Sequence, residues 1–313
     1  MDILLYDPVN GAETWLQGLS QRLPDARIRA WTPGDTAHAD YALVWNPPEA
    51  MLRGRTTLKA VFNLGAGVDA ILRQLRAYPE MMPKDVPLFR LEDAGMAMQM
   101  REYATYMVLG WYRLFEHYRE QQQKKQWGER FPASRKEFVI GIMGAGVLGR
   151  SVAQALAAWN FPVRCWSRSP KDISGVSSYC GVEQFAAFLA GTRVLINILP
   201  LTPETTGILN RHLFSQLAEG AYVMNIARGA HLVEQDLLAA LEEGHIKSAA
   251  LDVFTEEPLP ENHPFWSHPQ ITVTPHIAAL TLPDETMDHL ASSLLTFDSG
   301  GTPGGSVDIV RGY

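Results

Sequence analysis

From the N-terminus to about Leu91, short apolar runs alternate with stretches of helical spacing. Asp2–Tyr6, Arg27–Trp31, Tyr41–Trp45, Lys59–Asn63 and Pro87–Leu91 read as strands. Amphipathic patterns lie between several of them, and that alternation predicts a parallel sheet covered by helices, because parallel neighbours need a crossover connection. A second series begins at Phe138–Met143 and continues through Val163–Trp166, Val194–Leu199, Ala221–Ile226, Lys247–Val253 and Gln270–Thr274. Between the two series, Met100, Tyr103, Met107, Trp111, Leu114 and Tyr118 recur at three- and four-residue steps, the spacing of one face of a single long helix. A polar stretch, Gln121–Gln126, follows it. A last helical pattern, near Pro283 to Phe297, precedes the glycine-rich Gly300-Gly301-Thr302-Pro303-Gly304-Gly305. This tail is too short for a domain of its own, so it is expected to return to the first series. The prediction is two doubly wound α/β domains with a cleft between them: residues 1–98 joined by 284–313, and residues 99–283.

Composition narrows the picture without changing it. A length of 313 residues suits two domains, and 46% hydrophobic with 19% charged residues is ordinary for a globular chain. The formal charge of −7, with no long basic run, argues against nucleic-acid binding. No apolar run reaches the roughly 18 residues a membrane span needs. Asp2 stands where a secretory signal would carry lysines, and Cys165 and Cys180 form no CxxC motif, so a cytoplasmic protein with reduced thiols is expected.

Gly144-Ala145-Gly146-Val147-Leu148-Gly149 is a GxGxxG placed directly after a predicted strand and before a helix with Leu148, Val152, Leu156 and Trp159 on one side. In that setting Gly144 permits the tight turn, Gly146 lets backbone approach a pyrophosphate, and Gly149 lets the helix lie close on the sheet. An NAD site would place an acid at the end of the next strand to hold the ribose hydroxyls. Here that strand ends Cys165-Trp166-Ser167-Arg168-Ser169-Pro170-Lys171, with no acid before Asp172. Ser167, Arg168 and Lys171 can instead bond a 2′-phosphate, so NADPH is preferred and NADH less favoured.

Three further segments each fall just past a predicted strand: Asn225–Gly229, Asp252–Pro258 and Thr274–Ala279. Strand C-termini are where open α/β sheets hold ligands, so Arg228, Glu257 and His276 can converge on one. Taken singly, each has a bland reading: a surface arginine, a solvated glutamate, a structural histidine. No metal is expected, since His263, His268 and His276 are irregularly spaced and no HExxH or cysteine cluster exists.

These segments, together with Trp45-Asn46-Pro47-Pro48, Leu64-Gly65-Ala66-Gly67-Val68-Asp69 and the terminal Arg311-Gly312-Tyr313, make the chain resemble the D-isomer-specific 2-hydroxyacid dehydrogenases from end to end. Among them it is most similar to the bacterial branch that reduces glyoxylate to glycolate and hydroxypyruvate to D-glycerate. The resemblance implies a flavodoxin-like substrate domain and a Rossmann NADP-binding domain. It implies that Arg228 grips the substrate carboxylate and polarises the keto oxygen, that His276 protonates the developing alkoxide, and that Glu257 holds His276 as imidazolium. Ala66 and Gly67 would receive the substrate carboxylate on backbone N–H groups. Trp45 either walls the substrate pocket or belongs to the core. Leu199, Pro200, Thr202 and Ala227 would line the cofactor groove, with Asp252 beside the nicotinamide carboxamide. A homodimer is implied too, with the Met100–Tyr118 helix as a contact. Two rivals stay open at this point: an NAD-linked dehydrogenase for another D-2-hydroxy acid, and a non-catalytic nucleotide-sensing protein on the same fold.

Overall fold

A computed structural model describes residues 1–313, and the chain divides into two units, Met1–Met96 with Thr281–Tyr313, and Ala97–Leu280. The first unit is built from β1 (Asp2–Tyr6), α1 (Ala12–Arg22), β2 (Arg27–Ala30), β3 (Tyr41–Val44), α2 (Glu49–Leu52), β4 (Ala60–Asn63), α3 (Asp69–Ala77) and β5 (Leu88–Arg90). Its five strands are all parallel, in the order β2-β1-β3-β4-β5. This is the flavodoxin-like order, and the strand order reverses between β1 and β3. Every residue of β3 and β4 is buried, as expected of central parallel strands covered on both faces.

The second unit contains α4 (Met96–Tyr112, entering from the first unit at its initial residue), α5 (Phe115–Gln123), β6 (Ile140–Met143), α6 (Val147–Ala158), β7 (Val163–Ser167), β8 (Val176–Cys180), α7 (Phe185–Leu189), β9 (Val194–Asn197), α8 (Arg211–Phe214), β10 (Ala221–Asn225), α9 (Glu234–Glu242), β11 (Ile246–Leu251) and β12 (Ile271–Val273). Its seven strands are again parallel, ordered β12-β11-β10-β9-β6-β7-β8, so the reversal lies between β6 and β9. One face of the sheet carries a core that includes Ala104, Val108, Tyr112, Ile142, Val152 and Leu156, and the other carries Phe188, Leu213, Phe214, Leu237 and Phe265.

The single long helix expected over Met100–Tyr118 is two helices. Leu114 adopts a left-handed φ of 61° and ends the first of them. The physical reason is where the core stops: Met100, Ala104, Val108 and Tyr112 are buried at four-residue steps, whereas no residue of α5 is buried. The apolar positions Leu114 and Tyr118 therefore extend a pattern that no longer has a core beneath it. Strand β8 has no counterpart among the expected strands because Val-Ser-Ser-Tyr-Cys is an edge strand, bonded only to β7 and largely solvated. Trp159, expected on the packed side of α6, is instead half exposed at its C-terminus.

Helix α10 (Pro283–Asp298) returns to the first unit and packs on α1, burying Met287, Leu290 and Leu294. The glycine-rich tail then runs along the edge of the first sheet. The Arg90 N–H donates to Gly305 O at 2.8 Å, the Val307 N–H to Leu88 O at 2.9 Å, and Phe89 pairs antiparallel with Ser306. Gly305 has φ +79°, and a Cβ there would lie 2.1 Å from Arg90 O, so the close approach itself demands glycine.

Candidate active site

The glycine loop lies at the strand-order reversal of the second sheet, after β6. Gly144 has φ +102°, and an added Cβ would come within 2.8 Å of Ile198 O; one at Gly149 would come within 1.8 Å of Gly144 O. Both positions are closed to any side chain. A Cβ at Gly146, by contrast, meets nothing within 4 Å, so that side of the loop is open. Gly146 is also the N-cap of α6 and supplies no capping side chain, which leaves the first-turn N–H groups, beginning with those of Val147 and Leu148, for an anion. The loop thus fits a pyrophosphate.

At the end of β7, Ser167 is buried and its hydroxyl donates to Ser169 O at 2.8 Å, while Arg168 is exposed and Lys171 half-buried. A hydroxyl, a guanidinium and an ammonium with no carboxylate before Asp172 fit a 2′-phosphate better than ribose hydroxyls alone. Burial pushes the Cys165 thiol up to about 12, so that cysteine is an inert part of the core.

Across the reversal, Leu199 and Thr202 are buried and Pro200 is exposed. This turn is tied by Thr205, which accepts the Thr202 N–H at 2.8 Å and donates to Pro200 O at 2.8 Å. Beneath it lies a device that no sequence motif announces. The side chains of Asn197 and Asn225, fully buried at the ends of β9 and β10, are joined Nδ2 to Oδ1 at 3.0 Å. Asn197 Oδ1 also accepts the Leu199 N–H, and the Asn225 amide donates to Arg228 O at 2.9 Å. One polar pair therefore shapes both the Leu199–Thr202 turn and the loop carrying Ala227 and Arg228. His231, also fully buried, sets its ring nitrogens against Arg228 O at 3.1 Å and Pro200 O at 3.3 Å.

The three residues singled out after strands of the second series come together. Gly229 presses the Arg228 loop onto the next one: a Cβ there would lie 1.9 Å from the Phe254 carbonyl carbon. Glu257 Oε1 accepts the Phe254 N–H at 2.8 Å, and its Oε2 meets His276 Nδ1 at 2.8 Å. Partial burial pushes the Glu257 carboxyl up, but the His276 hydrogen bond, the Phe254 N–H and the nearby charges of His276 and Arg228 outweigh it and hold the group below the usual carboxylate range. Arg228 is half-buried, with Nη1 donating to Ala227 O at 2.7 Å.

His276 itself sits at φ 56°, a left-handed conformation rare for a residue other than glycine. Asp252 holds it there. That carboxylate is buried and accepts the Ile277 and Ala278 N–H groups at 2.8 Å each and the Thr274 hydroxyl at 2.6 Å, while Asp252 O accepts the His276 N–H at 2.8 Å. Tyr103 on α4 closes the chain, bonding Thr274 Oγ1 at 2.8 Å. Since the Thr274 proton goes to Asp252, Tyr103 is the donor.

In the first unit, Asn63 at the end of β4 is buried and donates to both Gly65 O at 2.9 Å and Gly67 O at 3.0 Å, fixing the Gly65–Gly67 loop. Trp45, just past β3, is half-buried and its ring lies against Gly65, where a Cβ would be only 2.4 Å away. It packs on the loop rather than in the sealed core.

The family model for the NAD binding domain of D-isomer specific 2-hydroxyacid dehydrogenases matches residues 105–278. The chain belongs to that family. It is 60% identical over its full length, and over the full length of the relative, to glyoxylate/hydroxypyruvate reductase A of Serratia proteamaculans. Among solved structures it resembles a family member from Xanthobacter autotrophicus in complex with NADPH and MES, with a TM-score of 0.91 and 36% identity over 100% of this chain and 99% of that one. It likewise resembles an NADPH-dependent glyoxylate/hydroxypyruvate reductase from Sinorhizobium meliloti in complex with NADP and sulfate, with a TM-score of 0.88 and 33% identity over 100% and 99%.

Proposed function

We propose that the protein reduces 2-keto acids to D-2-hydroxy acids with NADPH, taking glyoxylate to glycolate and hydroxypyruvate to D-glycerate. The observation that carries this reading is the Glu257–His276 pair beside the Arg228 loop: an acid–base histidine held by a carboxylate, next to a guanidinium. Retention of Arg228, Glu257 and His276 together favours catalysis over a nucleotide-sensing role, and NADPH oxidation with glyoxylate separates the two. The names of the full-length relatives support the substrates, and the bound nucleotides of the solved relatives support the cofactor.

In this reading the Gly144–Gly149 loop and the N-terminus of α6 hold the pyrophosphate, Ser167, Arg168 and Lys171 the 2′-phosphate, and Leu199, Pro200, Thr202 and Ala227 the groove. Asp252, with one lone pair left after its three bonds, lies beside the carboxamide. When bound, the cofactor supplies the hydride that reaches the keto carbon. The chain's own residues do the rest. Ala66 and Gly67 receive the substrate carboxylate, Trp45 bounds the side away from the keto group, and Arg228 grips carboxylate and keto oxygen in a planar fork. Glu257 occupies His276 Nδ1 and leaves Nε2 to give its proton to the oxygen as negative charge develops there. No metal is needed for that charge, because Arg228 supplies it.

A steady-state panel of keto acids against both nicotinamide cofactors tests the reading. Glyoxylate and hydroxypyruvate are expected to be turned over with NADPH favoured, and absence of turnover of any keto acid would contradict it. Arg168→Asp replaces an attractive charge with a repulsive one at the 2′-phosphate. It is expected to shift the ratio of kcat/KM for NADPH over NADH by about a hundred-fold toward NADH, the effect of removing two charge-assisted hydrogen bonds; an unaltered ratio places the phosphate elsewhere.

Glu257 sets the pH dependence. Because its carboxyl is held below the ordinary range, the ion pair with His276 persists into mild acid and is lost only as pH falls through that lowered value. Glu257→Gln removes the carboxylate whose lowered value sets that acid limit, so the acid limb of activity is expected to be lost. An unshifted pH profile would show that the pair does not govern protonation.

The same proposal includes a cytoplasmic homodimer. No helix is long and apolar enough to cross a membrane. Trp127 and Phe131 are 98% and 93% exposed, and Tyr106 and Phe115 on α4 and α5 also lie open, an apolar surface that a second copy of the chain would cover.

A further inference from the structure

We propose that Arg90 is a positioning residue that charges the carboxylate-receiving loop from behind, acting through the Ala66–Gly67 peptide; this rests on the assignment of that loop to the substrate carboxylate.

Arg90 is a cation whose burial is only partly compensated. It closes β5 and is largely withdrawn from water; desolvation lowers its pKa, and the nearby Glu92 charge offsets that only in part. Its Nε is buried with no hydrogen-bond partner. The one acceptor it has is Ala66 O, 3.4 Å from Nη1. Arg55 in the same unit shows the usual solution, its guanidinium bonded to Met51 O, Ala37 O and Asp35 O and paired with the Asp35 carboxylate. Burying a guanidinium without such partners is costly, and the cost is tolerated where the charge has another use.

The loop supplies that use. In a trans peptide the C=O and the following N–H point in opposite directions. Gly65 O is turned to the Asn63 amide, so the Ala66 N–H faces away from Asn63; Ala66 O is turned to Arg90, so the Gly67 N–H faces away from Arg90. Neither N–H has an acceptor in the protein. A cation on the carbonyl polarises its own peptide and makes the opposite N–H a stronger donor, so guanidinium, peptide and carboxylate form one aligned series of dipoles. Asn63 holds the loop's shape, and Arg90 gives it a positive potential that a neutral aldehyde or ketone cannot exploit. Arg90 is thereby a determinant of selectivity for carboxylate-bearing substrates.

The test compares Arg90→Gln, Arg90→Met and Arg90→Lys with the unaltered enzyme. Gln and Met are expected to raise KM for glyoxylate and Ki for oxalate together by about ten-fold, with kcat changed little and KM for NADPH unchanged. Lys, which keeps the charge, is expected to recover most of the loss. An unchanged KM in the Gln and Met variants overturns the role of Arg90 while leaving the reductase reading intact. So does a parallel loss of kcat and NADPH affinity that Lys fails to rescue, which marks a structural role only. No glyoxylate turnover by the unaltered protein overturns the reductase reading, and the role of Arg90 with it.

Discussion

His276→Asn is expected to lower kcat for keto-acid reduction by about a hundred- to ten-thousand-fold, the range over which a positioned general acid acts. Asparagine is the informative replacement because it tolerates the left-handed backbone that His276 occupies at φ 56°. The loop's own ties, from Asp252 to the Ile277 and Ala278 N–H groups and the Thr274 hydroxyl, do not involve the imidazole and stay in place. The variant therefore removes the acid without dismantling what surrounds it. NADPH affinity, followed by the quenching of protein fluorescence, is expected to be unaffected, and near-normal turnover would refute the acid role.

Arg228→Ala is expected to cost about a hundred- to a thousand-fold in kcat, the magnitude associated with one preorganised donor at a developing oxyanion, and about ten-fold or more in KM for the keto acid. Both effects come from one group if, as proposed, the guanidinium meets the substrate carboxylate and the keto oxygen together. Arg228→Lys should recover little, as a point charge cannot reproduce the planar fork. A further consequence follows from charge alone: Arg228 helps hold the Glu257 carboxyl below its ordinary range, so its removal should let that group rise and move the acid limb of activity to higher pH. The backbone of the loop is fixed separately by Asn225 and His231, so NADPH should still bind. Unchanged keto-acid turnover would mean that another cation does this work.

Much of this arrangement was legible in the sequence because it rests on local rules. Gly144 and Gly149 announce themselves where no Cβ fits, and Arg228, Glu257 and His276 each follow a strand whose apolar run marks its end. The absence of an acid before Asp172 is likewise a one-dimensional fact. What stayed hidden depends on the packing of distant segments. Asn197 and Asn225 look like ordinary strand-end residues until the sheet sets β9 beside β10 and joins their side chains. His231, Tyr103 and Arg90 carry no motif, and their parts emerge only from what the fold puts against them. Leu114 breaks the expected long helix with no glycine or proline to signal it, because the break answers the end of the core rather than a local preference. The Gly300–Gly305 segment had no periodicity to read, and its course is set by the open edge of β5.

The most direct test mixes the protein with NADPH and hydroxypyruvate and follows cofactor oxidation together with the chirality of the product. One D-glycerate formed for each NADPH consumed is the predicted result. No NADPH consumption, or the L enantiomer as product, would contradict the account.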